Sequence, residues 1–251
     1  MQIWKQQTEK DKNFTEIAKL YFNISAAYGK KSDYEQQYLY LQQARHIFEK
    51  KQLSLKTLLA NIYEGMAWYF GKKKDFENQL LHYEYARQIL ISIYNETHLK
   101  IAQNYTKVVT AYRNLQDYEK ALSFYEKALT IQTKQLPQKH PNTANTLKNI
   151  GLLYVLKNEN YIALAFFEKA LKMCLFIFGK KHAKVAEIYQ NIAKIYLHKK
   201  RLIKALHHFQ QAIISLYENE TNLNIYRILA LNNNFESKLL LELLHQKAQT
   251  F

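Results

Sequence analysis

The sequence predicts an all-α fold of repeated helical hairpins, an α-solenoid, and two observations support this prediction. First, one short pattern returns with a period of 42 residues, as in YEKALSFYEKALTIQ (118–132) and NYIALAFFEKALKMC (160–174). Second, the 251-residue chain has only 5 Gly and 2 Pro, so residues that break helices are rare. A β-sandwich of this length would need many more turn residues.

Five blocks of 42 residues fit the chain without an insertion, and we number positions from the first residue of each block: 17–58, 59–100, 101–142, 143–184 and 185–226. Position 2 is always Ala, position 12 is always aromatic, and position 28 is again always Ala. The apolar positions 2, 5, 8, 9 and 12 are spaced by three and four residues, which indicates one face of a helix, here called helix A. Positions 21, 25 and 28 mark a second helix, helix B. The small residues should let the two helices approach closely, and stacked hairpins should bury what one hairpin cannot.

The hairpin turns carry two kinds of signal. Gly29 and Gly71 at position 13 predict a left-handed glycine that ends helix A in the first two blocks. An acidic residue at position 17 of the first four blocks predicts a cap for helix B, and Arg201 interrupts this column. The acidic residues are Asp33, Asp75, Asp117 and Glu159.

The ends of the chain depart from the repeat. We expect residues 1–16 to form a partial helix over the first hairpin, and residues 227–251, with ESKLLLELLHQKAQ (236–249), to form a C-terminal capping helix. The N-terminus has no apolar run like a secretory signal, and MCLFIF (173–178) is too short to span a bilayer. We therefore expect a cytoplasmic protein without a membrane-inserted segment.

Several columns of the third block resemble the tetratricopeptide repeat: Tyr105, Val108, Val109 and Tyr112 in helix A, and Ala121, Tyr125, Ala128 and Leu129 in helix B. We call the segment that connects helix B of one block to helix A of the next a joint. The joints LPQKHPNTA (136–144) and FGKKHAKVA (178–186) are similar to those of the kinesin-light-chain type of this repeat. The resemblance covers residues 17–226. It implies a right-handed superhelix of about five repeats and a non-enzymatic scaffold or adaptor that binds other proteins.

The residues give little support for catalysis or for a bound metal or cofactor. His98, His140 and His182 share position 40, and equivalent positions in stacked repeats lie too far apart to bind one ion, so we expect each to hydrogen-bond its joint. His208 shares a packing column with His82, and Cys174 should be a buried thiol. With no nucleophile, acid–base or phosphate motif, we predict that the chain is not an enzyme.

In the tetratricopeptide repeat family, helix A forms the wall of a concave groove. Transferring those groove positions to this chain gives three kinds of side chain. They are amides that suit a peptide backbone, cations that suit an acidic ligand, and one large aromatic anchor. The predicted partner-binding residues are Asn61, Trp68, Lys72, Gln103, Lys107, Arg113, Asn145, Lys148, Asn149, Gln190, Asn191 and Lys194.

The formal net charge of +15 also favours an acidic partner. We predict a short, extended, acidic peptide segment of a partner protein, although long polar residues on a helix could simply be solvated. Nucleic-acid binding is the first alternative, less favoured because the aromatic residues fall in packing columns. The second is a peptide-sensing domain that works with a separate effector chain, because the repeat also resembles those of bacterial peptide-pheromone receptors. The sequence leaves the oligomeric state open.

Overall fold

The computed structural model describes residues 2–51 and 54–216, with side chains from residue 13 onward. This part of the chain is entirely helical between its turns, which confirms the predicted all-α repeat fold. Its ten helices are α1 (Gln2–Lys30), α2 (Tyr34–Lys51), α3 (Lys56–Lys72), α4 (Phe76–Ile93), α5 (Leu99–Asn114), α6 (Tyr118–Gln135), α7 (Pro141–Leu156), α8 (Asn160–Phe178), α9 (Ala183–His198) and α10 (Leu202–Ile214).

The chain divides into two compact units, Met1–Gln135 and Leu136–Phe251, called unit 1 and unit 2. Unit 1 contains the hairpins α1–α2, α3–α4 and α5–α6, and the described part of unit 2 contains α7–α8 and α9–α10. Inside each unit, helix B of one hairpin packs against helix A of the next, as α2 does on α3 and α8 does on α9. The antiparallel order therefore places the A–B turns of a unit at one end and its joints at the other.

The N-terminal residues do not form a separate partial helix. From Gln2 onward they belong to α1, which continues through the first helix A to Lys30. The reason is local, because no Gly or Pro lies before Gly29 to interrupt the helix. The predicted C-terminal capping helix lies outside the described residues.

Small residues and aromatic pairs build the interior of every hairpin. The alanines of positions 2 and 28 are all at most 2% exposed. The aromatic ring of position 12 lies beside the ring of position 24 in all five hairpins, with centroids 4.8 to 5.5 Å apart. This confirms that His82 and His208 occupy a packing column. Each such ring pair adds about 0.5–1.5 kcal/mol beyond the burial of its area. The pairs are Tyr28–Tyr40, Phe70–His82, Tyr112–Phe124, Tyr154–Phe166 and Tyr196–His208.

The A–B turns do not use the glycines that the sequence suggested. The left-handed residue stands at position 16, three residues later, and is not glycine in any of the five turns: Ser32, Lys74, Gln116, Asn158 and Lys200. In the second turn, for example, the amide of Lys74 donates to the carbonyl of Gly71 and the amide of Asp75 donates to the carbonyl of Phe70. This pair of bonds is a Schellman motif, and it stabilises the turn without a glycine.

Gly29 and Gly71 lie inside α1 and α3, so their prediction as helix-ending residues was wrong. Their role is close packing. A Cβ atom on Gly71 would come 2.4 Å from Nε2 of the buried Gln79, and one on Gly29 would come 2.9 Å from Nε2 of Gln37. The missing side chain at position 13 therefore makes room for glutamine at position 21.

The predicted acidic caps of helix B form in three of four cases. A carboxylate oxygen of Asp33, Asp75 and Asp117 accepts the backbone amide three residues later, at 3.1 Å in each case. The hydrogen bonds from the side chain and backbone of Asn78 also lower the pKa of Asp75. Glu159 makes no such bond, and its longer side chain instead pairs with Lys157 at 2.7 Å.

The joint histidines hydrogen-bond their joints, as predicted, and the structure shows that these bonds cap helix A. Nδ1 of His98, His140 and His182 accepts the backbone amide two residues later, at 3.1 Å in each case. The rings of His98 and His182 also stack on Tyr94 and Phe178, with centroids 4.1 and 4.2 Å apart. The first joint differs, because Leu55 stands at the cap of α3 and offers no side-chain acceptor.

Candidate functional site

The predicted partner-binding side chains of unit 1 stand on α3 and α5. Trp68 is 36% exposed and meets the edge of Tyr34 with ring centroids 5.0 Å apart. Nζ of Lys72 lies 4.9 Å from the Trp68 ring centroid and 5.6 Å from that of Tyr34. The exposed Lys72 and Trp68 and the half-buried Tyr34 thus form one group in which a cation covers two aromatic rings.

A second group in unit 1 joins α3 to α5. Glu64 forms an ion pair with Lys107, and its carboxylate also accepts a 3.4 Å hydrogen bond from the buried Asn104. Nδ2 of Asn104 lies 3.3 Å from the carbonyl of Tyr83 as well. Lys107 is therefore partly neutralised by a residue outside the predicted set. The other predicted side chains of unit 1 are exposed: Asn61, Gln103 and Arg113.

In unit 2, the predicted Lys148 of α7 is a structural cation. Its Nζ lies 2.6 Å from the carboxylate of Glu187 on α9, and its side chain is only 13% exposed. Cys174 lies at the same cleft and is buried, which confirms the expected buried thiol, and this burial raises its pKa. A charge reversal at Lys148 would set two carboxylates together, so it cannot test binding alone. Asn149 is half-buried, while Asn145 and Gln190 are exposed.

Asn191 and Lys194 line a cavity of about 680 Å³ between α7, α8 and α9. Leu152 and Val155 of α7 and Ile195 of α9 give it apolar walls. Nδ2 of Asn191 is shielded from solvent and has no hydrogen-bond partner among the described residues. The structure thus brings two predicted residues into one cavity, with a polar and cationic rim above an apolar floor.

The remaining lining residues of this cavity were absent from the predicted set. They come from the end of α9, from the two A–B turns, and from α8 and the start of α10: Asn158, Asn160, Phe167, Leu197, His198, Lys200 and Leu202. Leu197 and His198 stand at positions transferred from the family groove. Only the observed turn geometry, however, shows that Asn158 and Lys200 face the same space.

No group of three or more His, Cys, Asp or Glu side chains among the described residues could hold a metal ion. No described helix combines the length and the apolar character needed to cross a membrane.

The sequence of these hairpins matches a known family. Residues 100–173 and 159–213 match the model of the tetratricopeptide repeat. Residues 100–213 therefore carry tetratricopeptide repeats. No curated protein sequence matches it significantly.

Solved structures show the same fold at low sequence identity. A kinesin light chain protein of P. anserina with nearly identical TPR-like repeats is 14% identical, with a TM-score of 0.68 over 80% of this chain and 95% of that one. BtubC (BKLC) from P. vanneervenii is 17% identical, with a TM-score of 0.63 over 83% and 80%. Pseudomonas aeruginosa pilF is 16% identical, with a TM-score of 0.59 over 92% and 89%. The fold predicted from the kinesin-light-chain-like repeats is thereby confirmed.

Tetratricopeptide repeats indicate a scaffold for protein–protein interaction, and proteins built from them are generally non-enzymatic. The family and the cavity therefore direct attention to the faces of the A helices as binding surfaces for a protein.

Proposed function

We propose that this chain is an adaptor that binds a short, extended, acidic segment of a partner protein along the faces of its A helices. The cavity lined by Asn191 and Lys194 is the observation that carries this proposal. Its apolar walls offer burial to one side chain of the segment, and its rim offers groups that suit acidic and carbonyl oxygens.

The rim chemistry favours an acceptor-rich ligand. The unpaired Nδ2 of Asn191 is a donor without a partner among the described residues, and a buried donor gains most when a ligand supplies an acceptor. Lys194 and Lys200 line the same cavity and would attract carboxylates. A peptide backbone carries regularly spaced carbonyls, and acidic side chains between them would meet the two cations.

Unit 1 offers a separate contact of related chemistry. Lys72 and Trp68 together present a cation and an aromatic face, and both are exposed. An acidic residue next to an apolar one would match this pair. The exposed amides of Asn61 on α3 and Gln103 on α5 can bind backbone groups of an extended segment.

The observed aromatic packing supports a peptide over a nucleic acid. Single-stranded nucleic acids bind through exposed aromatic rings on which their bases stack. Here the rings of positions 12 and 24 pack against each other within each hairpin, as Tyr112 does against Phe124.

The test uses the full chain and a displayed library of random twelve-residue peptides. We expect the selected peptides to be acidic with one large apolar residue, and to bind Lys194→Glu at least about tenfold more weakly than the unaltered chain, by fluorescence anisotropy. Lys169→Glu is the matched control, because this exposed lysine belongs to helix B of the same unit and covers the Phe166 ring.

Selected peptides without acidic residues would contradict the proposal. Equal affinity for Lys194→Glu and Lys169→Glu would contradict it too, because the +15 charge of the whole chain would then explain the binding. Circular dichroism of both variants checks that their helices are intact.

A further inference from the structure

Two large apolar side chains are almost fully exposed to solvent at one end of unit 2. Tyr161, in the first turn of α8, is 83% exposed, and Ile203, in the first turn of α10, is 81% exposed. Leu156 and Ile162 nearby are 46% and 38% exposed. We call residues 156–162 and 198–204 the turn edge of unit 2.

The two A–B turns of this edge are neighbours in space. The residues just before Tyr161 and Ile203, Asn160 and Leu202, line one cavity together with Asn158 and Lys200. The exposed Tyr161 and Ile203 therefore both lie next to residues that line the same cavity, and they belong to one continuous edge.

The same column is acidic in the other three hairpins. Position 19 is Glu35, Glu77 and Glu119 in unit 1, and Tyr161 and Ile203 in unit 2. Glu35 shows what the column does in unit 1: it pairs with Lys73 of the next hairpin and accepts a 2.9 Å hydrogen bond from the hydroxyl of Tyr69. Unit 2 replaces this ionic contact with exposed apolar side chains.

The charge of the edge changes in the same direction. Positions 14 to 20 of the three hairpins of unit 1 contain six Lys and six Asp or Glu, so their charges cancel. The same positions of unit 2 contain five cations and one carboxylate, Glu159, which is already paired with Lys157. The cations are Lys157, Lys199, Lys200, Arg201 and Lys204.

We infer that the turn edge of unit 2 docks on the surface of an anionic lipid bilayer. Tyrosine favours the bilayer interface, isoleucine gains by inserting below the headgroups, and nearby lysines attract anionic lipids while keeping their charge in water. Each cation close to such a surface strengthens binding about fivefold. Net positive charge and exposed apolar side chains coincide on this edge, whereas in unit 1 the charges of positions 14 to 20 cancel and position 19 is always Glu.

Exposure favours a bilayer over a protein partner at this edge. Binding energy between proteins concentrates in side chains that fill packed pockets. Tyr161 and Ile203 instead project from the starts of helices, where a soft interface can surround them. This docking does not rest on the peptide proposed above, although the turn edge and the cavity share Asn158, Asn160, His198, Lys200 and Leu202.

The experiment is co-sedimentation of the full chain with vesicles of phosphatidylcholine alone or with 30% phosphatidylserine. We expect pelleting only with the anionic vesicles, and binding about tenfold weaker for Tyr161→Glu/Ile203→Glu, which copies the residue of unit 1. Phe176→Glu is the matched control, because Phe176 is 68% exposed but lies at the opposite end of α8. The affinity lost by Phe176→Glu should be at most about half of that lost by the double variant.

A second readout tests insertion directly. Because the single native cysteine, Cys174, is buried, Tyr161→Cys provides an exposed thiol for an environment-sensitive dye. A blue shift of its emission with anionic vesicles supports the inference. Failure to pellet, or pelleting that Tyr161→Glu/Ile203→Glu leaves unchanged, overturns it. Binding of an acidic helical peptide that this variant abolishes, without vesicle binding by the unaltered chain, assigns the edge to a protein and also overturns it.

Discussion

The first two hairpins and the last three place the larger residue of one pair of positions on opposite helices. Positions 13 and 21 are Gly29 with Gln37 and Gly71 with Gln79 in the first two, and each glutamine occupies the space beside its glycine. In the other three the larger residue stands at position 13 and an alanine at position 21: Arg113 with Ala121, Val155 with Ala163, and Leu197 with Ala205. The larger side chain therefore belongs to helix B in the first two hairpins and to helix A in the last three.

The largest effect should come from breaking this pairing in the second hairpin. Gly71→Leu places a side chain where Nε2 of the buried Gln79 already lies, so we expect a loss of about 2–3 kcal/mol in the free energy of unfolding. Adding Gln79→Ala copies the Leu197–Ala205 pair of the last hairpin and should restore most of that loss. Urea unfolding of the two single variants and the double variant measures the coupling.

Gln79→Ala alone is the control, since it leaves a gap where Gln79 was buried beside Gly71. If the double variant loses as much stability as the two single changes added together, the two positions do not share one space and the comparison fails.

A smaller effect on the free energy of unfolding should come from the joints, which differ between the two regions in how they cap helix A. His182 caps α9 through Nδ1, whereas Leu55 provides no cap for α3. We expect His182→Ala to lower the free energy of unfolding by about 1 kcal/mol and His182→Asn to preserve it, because asparagine is a favoured cap. Thermal unfolding of both variants is the measurement.

The reverse change belongs at the first joint. Leu55→Asn should increase stability unless Leu55 contributes more by packing against the first core, where it is half-buried.

Equal losses for His182→Ala and His182→Asn would mean that the ring stacking on Phe178 matters and the cap does not.

The smallest effect should be a pH dependence confined to the second and fifth hairpins. Position 24 is His82 and His208 there, and Tyr40, Phe124 or Phe166 elsewhere. Burial lowers the pKa of both histidines below 6.5, with the neighbouring His207 and Lys204 adding to the effect at His208, whereas the bond to the Asn78 carbonyl opposes it at His82.

The direction of this dependence follows from the lowered pKa values. The unfolded chain takes up protons on these side chains first, so their contribution to stability is complete above about pH 6.5 and decreases as the pH falls toward the folded-state pKa. We expect His82→Phe/His208→Phe to reduce the difference in melting temperature between pH 7.5 and pH 5.5. An unchanged difference would show that other groups cause it.

The fold was predictable because its signal is repeated. Alanines at positions 2 and 28 and aromatic residues at position 12 recur in every block, and one period places them all on packed faces. The function of Gly71 was not predictable, because a glycine near a helix end looks the same whether it ends the helix or makes space for Gln79. The turn at Lys74 is held by backbone bonds, which leave no mark on its residue type.

The candidate site was predictable only in part. Helix periodicity puts Lys148 and Lys194 on comparable faces, but it does not show that Glu187 reaches Lys148 or that the turns at Asn158 and Lys200 complete a cavity. Such contacts depend on how neighbouring hairpins are set against each other. The acidic peptide, the twelve partner-binding residues and the cytoplasmic location stay predictions.

The placement of tryptophan lets two spectroscopic signals report on different parts of the molecule. Both Trp residues, Trp4 and Trp68, belong to unit 1, whereas helices in both units contribute to the far-ultraviolet circular dichroism. Intrinsic fluorescence therefore reports on the first half of the chain, and ellipticity reports on all of it. Superimposed transitions would identify a single cooperative block, and a fluorescence change separate from the ellipticity change would resolve two melting steps without any added label.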